Sequence, residues 1–243
     1  FEGIVGSQDN ANAKYNTTEY KTGKIALRKI AAGTYRIGHN ESVHELYPYK
    51  RNSEHDVSAS QNYYIGIFPV TRAQYARVMG TGSAENSTLP QNNVSWATLR
   101  NSAGVTAALP ANKDHQTSFF IRLSGLAGVS FDLPTDAMWE IAARANCRTK
   151  YYWGDSFDDS YCWYSDNSGN APHEVGKKKP NAWGLYDLAG NVFDWVLDIP
   201  DTTGDNASWQ HDAFAPNTTG EATSRVLIGS SYYKGAFECM VSY

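Results

Sequence analysis

Hydrophobic residues recur at helical spacing in two stretches of the chain. From Thr71 to Met79, the residues Tyr75, Val78 and Met79 follow this spacing, and Thr71 is placed to cap the first turn. The stretch from Thr135 to Arg144 repeats the arrangement, again with a threonine at its start. Elsewhere the apolar runs are short and broken by glycine and polar residues, which is typical of short strands joined by loops. The pattern predicts a loop-rich protein with two main helices.

Polar segments lie at the start of the chain and in two long excursions. Residues 1–24 contain few aliphatic side chains and are interrupted by glycine and asparagine, so we expect a poorly ordered leader there. A single domain would then occupy residues 25–243. The excursions cover residues 80–112 and 207–221. Long loops on a rigid scaffold are where binding usually takes place.

Composition and charge narrow the classes of function. With 243 residues, of which 41% are hydrophobic, the chain can bury a core without help from disulfides or metals. Its net charge of −4 provides no basic surface for nucleic acid, and no apolar run is long enough to span a bilayer. We therefore expect neither a nucleic-acid partner nor a transmembrane segment.

Cysteines and clustered carboxylates are the residues that could bind a metal, form a disulfide or take part in catalysis. Cys147, Cys162 and Cys239 are too few for a disulfide framework, although Cys147 and Cys162 could pair. Carboxylates cluster within residues 155–159 and 198–205, where they could serve as acid and base pairs, calcium ligands or turn residues. The frequency of aspartate in turns favours the last interpretation.

Residues 181–195 are unusually rich in Trp, Gly, Asn and Asp, and they predict a buried, loop-rich knot. Within it, Asn191 and Asp194 follow Gly190 and stand three residues apart. Their side-chain oxygens could converge on one hard cation such as calcium. Alternatively, Asp194 caps a turn and Asn191 bonds the backbone, and we favour this structural interpretation because two ligands are a weak signal.

Several segments, taken in order, resemble one known family. They are residues 29–38, 55–75, 132–144, 151–155, 181–195 and 225–231. Together they resemble the formylglycine-generating enzyme (sulfatase-modifying factor) family, a branch of the C-type lectin fold. The resemblance implies an α+β, loop-rich domain with two main helices and short antiparallel strands, and it places an opening strand pair within residues 29–38.

Enzymes of this family carry two cysteines near the C-terminus that hold a copper ion for oxygen activation. In the corresponding run, Cys239 stands at the second cysteine and Lys234 at the first. An ammonium group cannot replace a thiolate ligand of monovalent copper. We therefore expect no catalytic residues and no cofactor beyond the weak calcium candidates, and we interpret Cys239 as a buried core residue. The alternative is a metal- and oxygen-dependent oxidase related to these enzymes.

The run from Ser231 to Tyr243 also resembles the variable proteins of diversity-generating retroelements, a non-enzymatic branch of the fold known from Treponema and from phages. In that branch the C-terminal strand and loops bind the ligand. The resemblance implies a fixed frame of Ser231, Tyr232, Ala236, Cys239, Val241 and Tyr243. It implies ligand contacts from Tyr233, Lys234, Gly235, Phe237, Glu238 and Met240, a set that could extend to Ile228 and Ser230.

The aromatic residues of this run decide between two interpretations. Tyrosine and phenylalanine offer the large surfaces common at binding sites, whereas alternation along a strand would bury about half of them. The first interpretation predicts a ligand-binding protein whose partner is an unknown protein or cell-surface ligand. The second describes an accessory domain with internal tyrosines. The family resemblance further implies display at the cell surface or secretion, with lipid anchoring through a removed N-terminal segment as one route.

Overall fold

The computed structural model describes residues 14–38, 54–82, 84–100, 118–200, 212–214 and 224–241. Helices and short antiparallel strands alternate with long loops, so the expected α+β architecture is confirmed. Within these ranges no helix has the length and apolar character needed to cross a membrane.

Three antiparallel two-stranded sheets form the β part of the described chain. The strand pair expected within residues 29–38 is present as two successive strands, but each of them pairs with a later strand instead of with the other. The second strand pairs with the third, with Gly33 opposite Ala59, and the first strand pairs with the fourth, with Leu27 opposite Gly66. The strands are β1 (Leu27–Ile30), β2 (Gly33–Ile37), β3 (His55–Ala59), β4 (Tyr63–Gly66), β5 (Asp194–Trp195) and β6 (Leu227–Ile228).

The two helices predicted from hydrophobic spacing are confirmed nearly residue for residue. They are α2 (Arg72–Met79) and α5 (Asp136–Arg144). The Thr71 hydroxyl accepts a hydrogen bond from the Gln74 amide at 3.2 Å, and the Thr135 hydroxyl accepts one from the Met138 amide at 3.1 Å. Each threonine therefore satisfies a backbone donor that the first helical turn leaves free.

Three further helices, α1 (Thr18–Thr22), α3 (Trp96–Arg100) and α4 (Phe119–Ala127), were not predicted. The first lies inside the expected leader, so the leader prediction was wrong for residues 14–24, and residues 1–13 lie outside the described chain. Tyr15 is buried, and the Gln74 amide group donates to the carbonyls of Tyr20 and Lys24 at 3.0 and 2.7 Å. A polar composition did not reveal these long-range contacts.

The main core lies between α5, the first strands and the knot of residues 181–195, which is buried as predicted. Asn181 joins the knot to the end of α5, since its side-chain amide donates to the Ala142 and Ala143 carbonyls at 2.7 and 2.9 Å. A buried ion pair between Arg144 and Glu140, 2.7 Å apart, strengthens the same region. Strand β5, which lies within the knot, pairs with β6, so the knot lies beside the C-terminal part of the described chain.

Candidate functional site

The C-terminal segment (residues 230–241) contains the residues expected to contact a ligand. It was expected to be a strand, and this was wrong: it forms a turn followed by a 3-10 helix, η1 (Ala236–Cys239). Local bonds replace strand pairing, since the Lys234 amide donates to the Ser231 carbonyl and the Glu238 amide donates to the Gly235 carbonyl. The Glu238 carboxylate closes the turn by accepting from the Gly235 amide at 2.6 Å and by pairing with Lys234 at 2.8 Å.

The anchoring loop (residues 162–168) holds this segment from one side. The Ser165 amide donates to the Lys234 carbonyl at 2.9 Å, and the Ser168 hydroxyl donates to the Tyr232 carbonyl at 2.7 Å. From the knot, the Asn191 carbonyl accepts from the Tyr232 amide at 2.9 Å. On the C-terminal segment, each of these bonds uses a backbone atom. The bonds to the anchoring loop and to Asn191 therefore do not depend on which side chains the segment carries at residues 232 and 234.

Tyr233 is the most exposed of the candidate contact residues. Its side chain is 52% exposed, and its ring lies 5.2 Å from that of Tyr232 and 6.1 Å from that of Phe193, in both cases edge to face. We call these three rings the aromatic patch. Phe193 was missed in the sequence because an aromatic residue inside a buried knot shows no local sign of exposure.

The remaining candidates divide between surface and core. Lys234, Gly235, Phe237 and Glu238 are half-buried beside Tyr233, and Phe237 also packs against the main core. Met240 is 6% exposed and belongs to the main core, so it does not join the aromatic patch. Ile228 and Ser230, to which the contact set could extend, are also buried. Tyr243 lies outside the described residues.

The two calcium candidates have separate protein partners. Asn191 is fully buried; its side-chain oxygen accepts from the His173 amide at 2.9 Å, and its amide group donates to the His173 carbonyl at 3.0 Å. Asp194 accepts from the indole N–H of Trp139 at 2.9 Å. The Asn191 contacts fit the structural interpretation, because its side chain bonds the backbone. Asp194 was expected to cap a turn, and it instead accepts from the side chain of a residue in α5.

Asp187, which the sequence did not single out, is the acidic neighbour of both candidates. It accepts from the Asn191 amide group at 3.2 Å and from the Gly176 amide at 2.7 Å. Burial raises the pKa of Asp187 to about 6 and that of Asp194 to about 6, and the Asp187 charge adds to the rise at Asp194. Among the described residues, no group of three His, Cys, Asp or Glu side chains gathers that could hold a metal ion.

Two of the carboxylates that were interpreted as turn residues accept hydrogen bonds from nearby backbone amides. Asp155 accepts from the Lys150 amide at 3.2 Å, and Asp158 accepts from the Ser160 amide at 2.9 Å. Asp198 accepts from the Asp136 amide at 2.7 Å and so helps to cap α5. Residues 201–205 lie outside the described chain.

The cysteines have a different arrangement from the one considered in the sequence. All three are free thiols, and Cys239 is 1% exposed, as expected of a core residue. Cys162 is 0% exposed, and interaction with the Cys239 thiol together with burial raises the pKa of its thiol. Cys147 is half-buried with its Sγ atom 3.7 Å from the Tyr151 carbonyl. The Cys239 thiol therefore interacts with a second thiol, although not with one from its own segment.

Comparison with known proteins places these features in a family. The model of the sulfatase-modifying factor enzyme 1-like domain matches residues 17–242. The solved structure of Treponema denticola variable protein 1 superposes with a TM-score of 0.66 at 28% identity, covering 90% of this chain and 88% of that chain. PvdO from Pseudomonas aeruginosa superposes with a TM-score of 0.71 at 18% identity, covering 89% and 85%, which shows a common fold alone.

Two relatives with described roles match less completely. Chaperone protein LppX of Paenibacillus barcinonensis is 27% identical over 228 residues, which cover 79% of this chain and 76% of the relative. Formylglycine-generating enzyme of Streptomyces coelicolor is 34% identical over 114 residues, but these cover only 41% of this chain and 35% of the enzyme. Since the family model extends from α1 to the C-terminal segment, the chain belongs to the formylglycine-generating enzyme (sulfatase-modifying factor) family of the C-type lectin fold, and within it is similar to a variable protein over nearly its whole length.

Proposed function

We propose that this chain is a non-enzymatic variable protein that binds a partner through its C-terminal segment. The observation that carries the proposal is the aromatic patch: an exposed Tyr233, flanked by Tyr232 and Phe193, on a segment fixed by backbone bonds. Tyrosine gives a large contact area at the cost of few rotatable bonds, so a fixed aromatic patch loses little conformational entropy on binding.

Burial along the segment supports a division into frame and contact residues. Three residues of the implied frame, Ser231, Cys239 and Val241, are between 1% and 2% exposed. The implied contact residues Tyr233, Lys234, Gly235, Phe237 and Glu238 are exposed or half-buried. Three residues depart from the division, since the contact residue Met240 is buried and the frame residues Tyr232 and Ala236 are half-buried. A protein that changes its contacts between variants needs this separation, because changes at buried positions destabilise the fold.

The charged residues next to the patch suggest how specificity is added. The Lys234 side chain is 34% exposed and that of Glu238 is 18% exposed, and the two form an ion pair four residues apart. A partner that buries Tyr233 would also meet this pair at the rim of the contact. Rim charges set orientation and association rate more than affinity. The partner we infer is a protein or cell-surface ligand with an apolar pocket for the tyrosine.

The proposal is tested by sequencing the 3′ end of the gene and its flanking DNA from many cells of one population. We expect substitutions to concentrate at codons 233, 234, 235, 237 and 238, to spare codons 231, 239 and 241, and to occur beside an invariant near-copy of the region. An unchanging sequence without a near-copy would overturn the variable-protein assignment. It would leave a fixed binding module or the enzyme as the remaining functions.

We also infer display at the cell surface or secretion, by resemblance to variable proteins. Brief protease treatment of intact cells tests it. Loss of the chain from intact cells, with a cytoplasmic marker preserved, is the expected result. Protection of the chain until the cells are lysed would contradict it. If the chain is displayed, release by a lipase and not by salt would identify a lipid anchor.

A second candidate function, a metal- and oxygen-dependent oxidase, is favoured by the interaction between the thiols of Cys162 and Cys239 and by the partial match to a formylglycine-generating enzyme. Two thiolates would suit monovalent copper, whose role in the family is to activate oxygen. Lys234 in place of the family's first cysteine and the burial of both thiols weigh against it. Titration with copper(I) against a competing chelator decides, since an oxidase of this kind requires one tightly bound ion per chain.

A further inference from the structure

The ammonium group of Lys234 lies between two groups that attract cations. Its Nζ atom is 2.8 Å from Oε1 of Glu238 and lies over the Tyr233 ring, 6.0 Å from the ring centroid. A carboxylate oxygen pairs with an ammonium group, and the face of an aromatic ring attracts one because its quadrupole is negative there. The C-terminal segment therefore contains an ammonium site that its own lysine occupies.

The Glu238 carboxylate of this site is held by the backbone as well as by Lys234. Its Oε2 atom accepts from the Gly235 amide at 2.6 Å, and this leaves Oε1 for the ammonium group. The bond runs from the residue before η1 to the third residue of η1, as in a helix cap. Because a charged hydrogen bond to the backbone remains, we expect the carboxylate to keep its position when the ammonium group is removed.

The other contacts around the site do not use the lysine side chain. The Lys234 amide donates to the Ser231 carbonyl at 3.0 Å, and the Lys234 carbonyl accepts from the Ser165 amide at 2.9 Å. The Tyr233 ring has its own edge-to-face contacts with Tyr232 and Phe193. An exchange of the side chain at residue 234 therefore removes the occupant and leaves these contacts of the site available.

We propose that residue 234 decides whether this site accepts a partner. With lysine at residue 234, the protein fills the site from within. With a small uncharged residue there, the site accepts the ammonium group of a lysine side chain from a partner protein. This inference rests on the proposed function, because it takes residue 234 to be one of the positions that differ between variants, and it names the chemistry that such variants recognise.

The exposure of the two flanking side chains fits a lysine that arrives from outside. The Tyr233 side chain is 52% exposed, whereas that of Glu238 is only 18% exposed. An incoming lysine can lay its apolar stem along the Tyr233 ring and bring its ammonium group to Oε1 of Glu238. Because Glu238 is half-buried, leaving its charge without a cation is costly, and the site favours a positively charged occupant.

The experiment titrates the full chain with butylammonium, which has the stem and the ammonium group of lysine, and with butanol as the neutral counterpart. NMR at low ionic strength follows the Gly235 amide and the Tyr233 ring. We expect Lys234→Ala to bind butylammonium about fivefold more tightly than the wild type, since an ion pair and a cation–π contact become available. Lys234→Arg keeps a cation in the site and should behave like the wild type, and butanol should not distinguish the proteins.

Glu238→Gln in the Lys234→Ala background is the matched variant, because the glutamine oxygen can still accept from the Gly235 amide while the charge is lost. It should abolish the gain in affinity. Equal affinity of the wild type and Lys234→Ala for butylammonium, or a gain that survives Glu238→Gln, would overturn the proposal. The titration needs no partner, so its failure beside a diversified codon 234 overturns the ligand chemistry alone. Success beside an invariant codon 234 overturns the variable-protein function, and with it the role of residue 234 among variants, and leaves the ammonium site.

Discussion

Replacing Asn191 with alanine tests how the knot supports the C-terminal segment. The Asn191 side chain makes three hydrogen bonds, two to the His173 backbone and one to Asp187, in a fully buried position. Its backbone has φ of +59°, a conformation that asparagine tolerates better than alanine. The substitution therefore removes hydrogen bonds and strains the backbone at one position.

The two contributions have separate magnitudes. Alanine in the left-handed conformation costs about 1 kcal/mol relative to asparagine. The His173 amide left without an acceptor costs about 1–3 kcal/mol, and the lost donor to Asp187 costs about 1 kcal/mol more. Asn191→Ala should thus lower the free energy of unfolding by about 3–5 kcal/mol. Urea denaturation followed by tryptophan fluorescence, in buffer with a chelator, measures this difference.

Asn170 provides a matched control on the same protein. It also has a positive φ, of +57°, but it is exposed, so Asn170→Ala carries the backbone cost without a buried unpaired group. We expect Asn170→Ala to cost only about 1 kcal/mol. If the two variants agree within about 0.5 kcal/mol, the hydrogen bonds of Asn191 do not stabilise the fold as described. If added calcium stabilises the wild type and this gain vanishes in Asn191→Ala, Asn191 is a calcium ligand instead.

Three further predictions follow from burial and charge. Tyr233→Ala should change the free energy of unfolding by less than about 1 kcal/mol, whereas Phe237→Ala should lower it by about 1–3 kcal/mol because the Phe237 ring packs on the core. Thermal melts of the two variants measure this difference, and an equally large loss for Tyr233→Ala would show that Tyr233 is a core residue. Met240→Ala should cost about 2–4 kcal/mol in the same measurement, and a neutral result would return Met240 to the contact set. In metal-free buffer, the pKa of about 6 at Asp187 means that the folded state holds this proton more tightly than the unfolded chain does, so its contribution to stability is present below about pH 4 and lost as pH rises to about 6. Relative to Asp187→Asn, the free energy of unfolding of the wild type should fall by up to about 3 kcal/mol between these pH values. Parallel pH profiles of the two proteins would contradict the raised pKa of Asp187.

Local information was sufficient for some parts of the fold and not for others. The helices α2 and α5 were predictable because a capping threonine and helical spacing lie within the element itself. The helix α1 was not, because it is stabilised by Gln74, more than 50 residues away. Its own sequence resembles a leader because it has few apolar residues to bury.

The candidate site was likewise predictable from the sequence in some parts and not in others. The family resemblance predicted a set of contact residues, and Tyr233 is the most exposed of them. The turn and η1 were not predictable, because local bonds replace strand pairing and distant residues of the anchoring loop and Asn191 hold the segment in place. Neither Phe193 nor the interacting thiols of Cys162 and Cys239 can be found from the segment alone, since each depends on how distant loops meet.

The backbone bonds at Tyr232, Lys234 and Val241 restrict the kind of genetic change that the C-terminal segment can accept. Because each bond fixes a particular position along the chain, one inserted or deleted residue between 232 and 241 would place the wrong amide or carbonyl opposite Ser165, Ser168 or Lys150. Exchanges of one side chain for another leave these bonds unchanged. Diversity in this segment should therefore arise at constant length, and engineered libraries built on it should vary residue identity and keep the spacing.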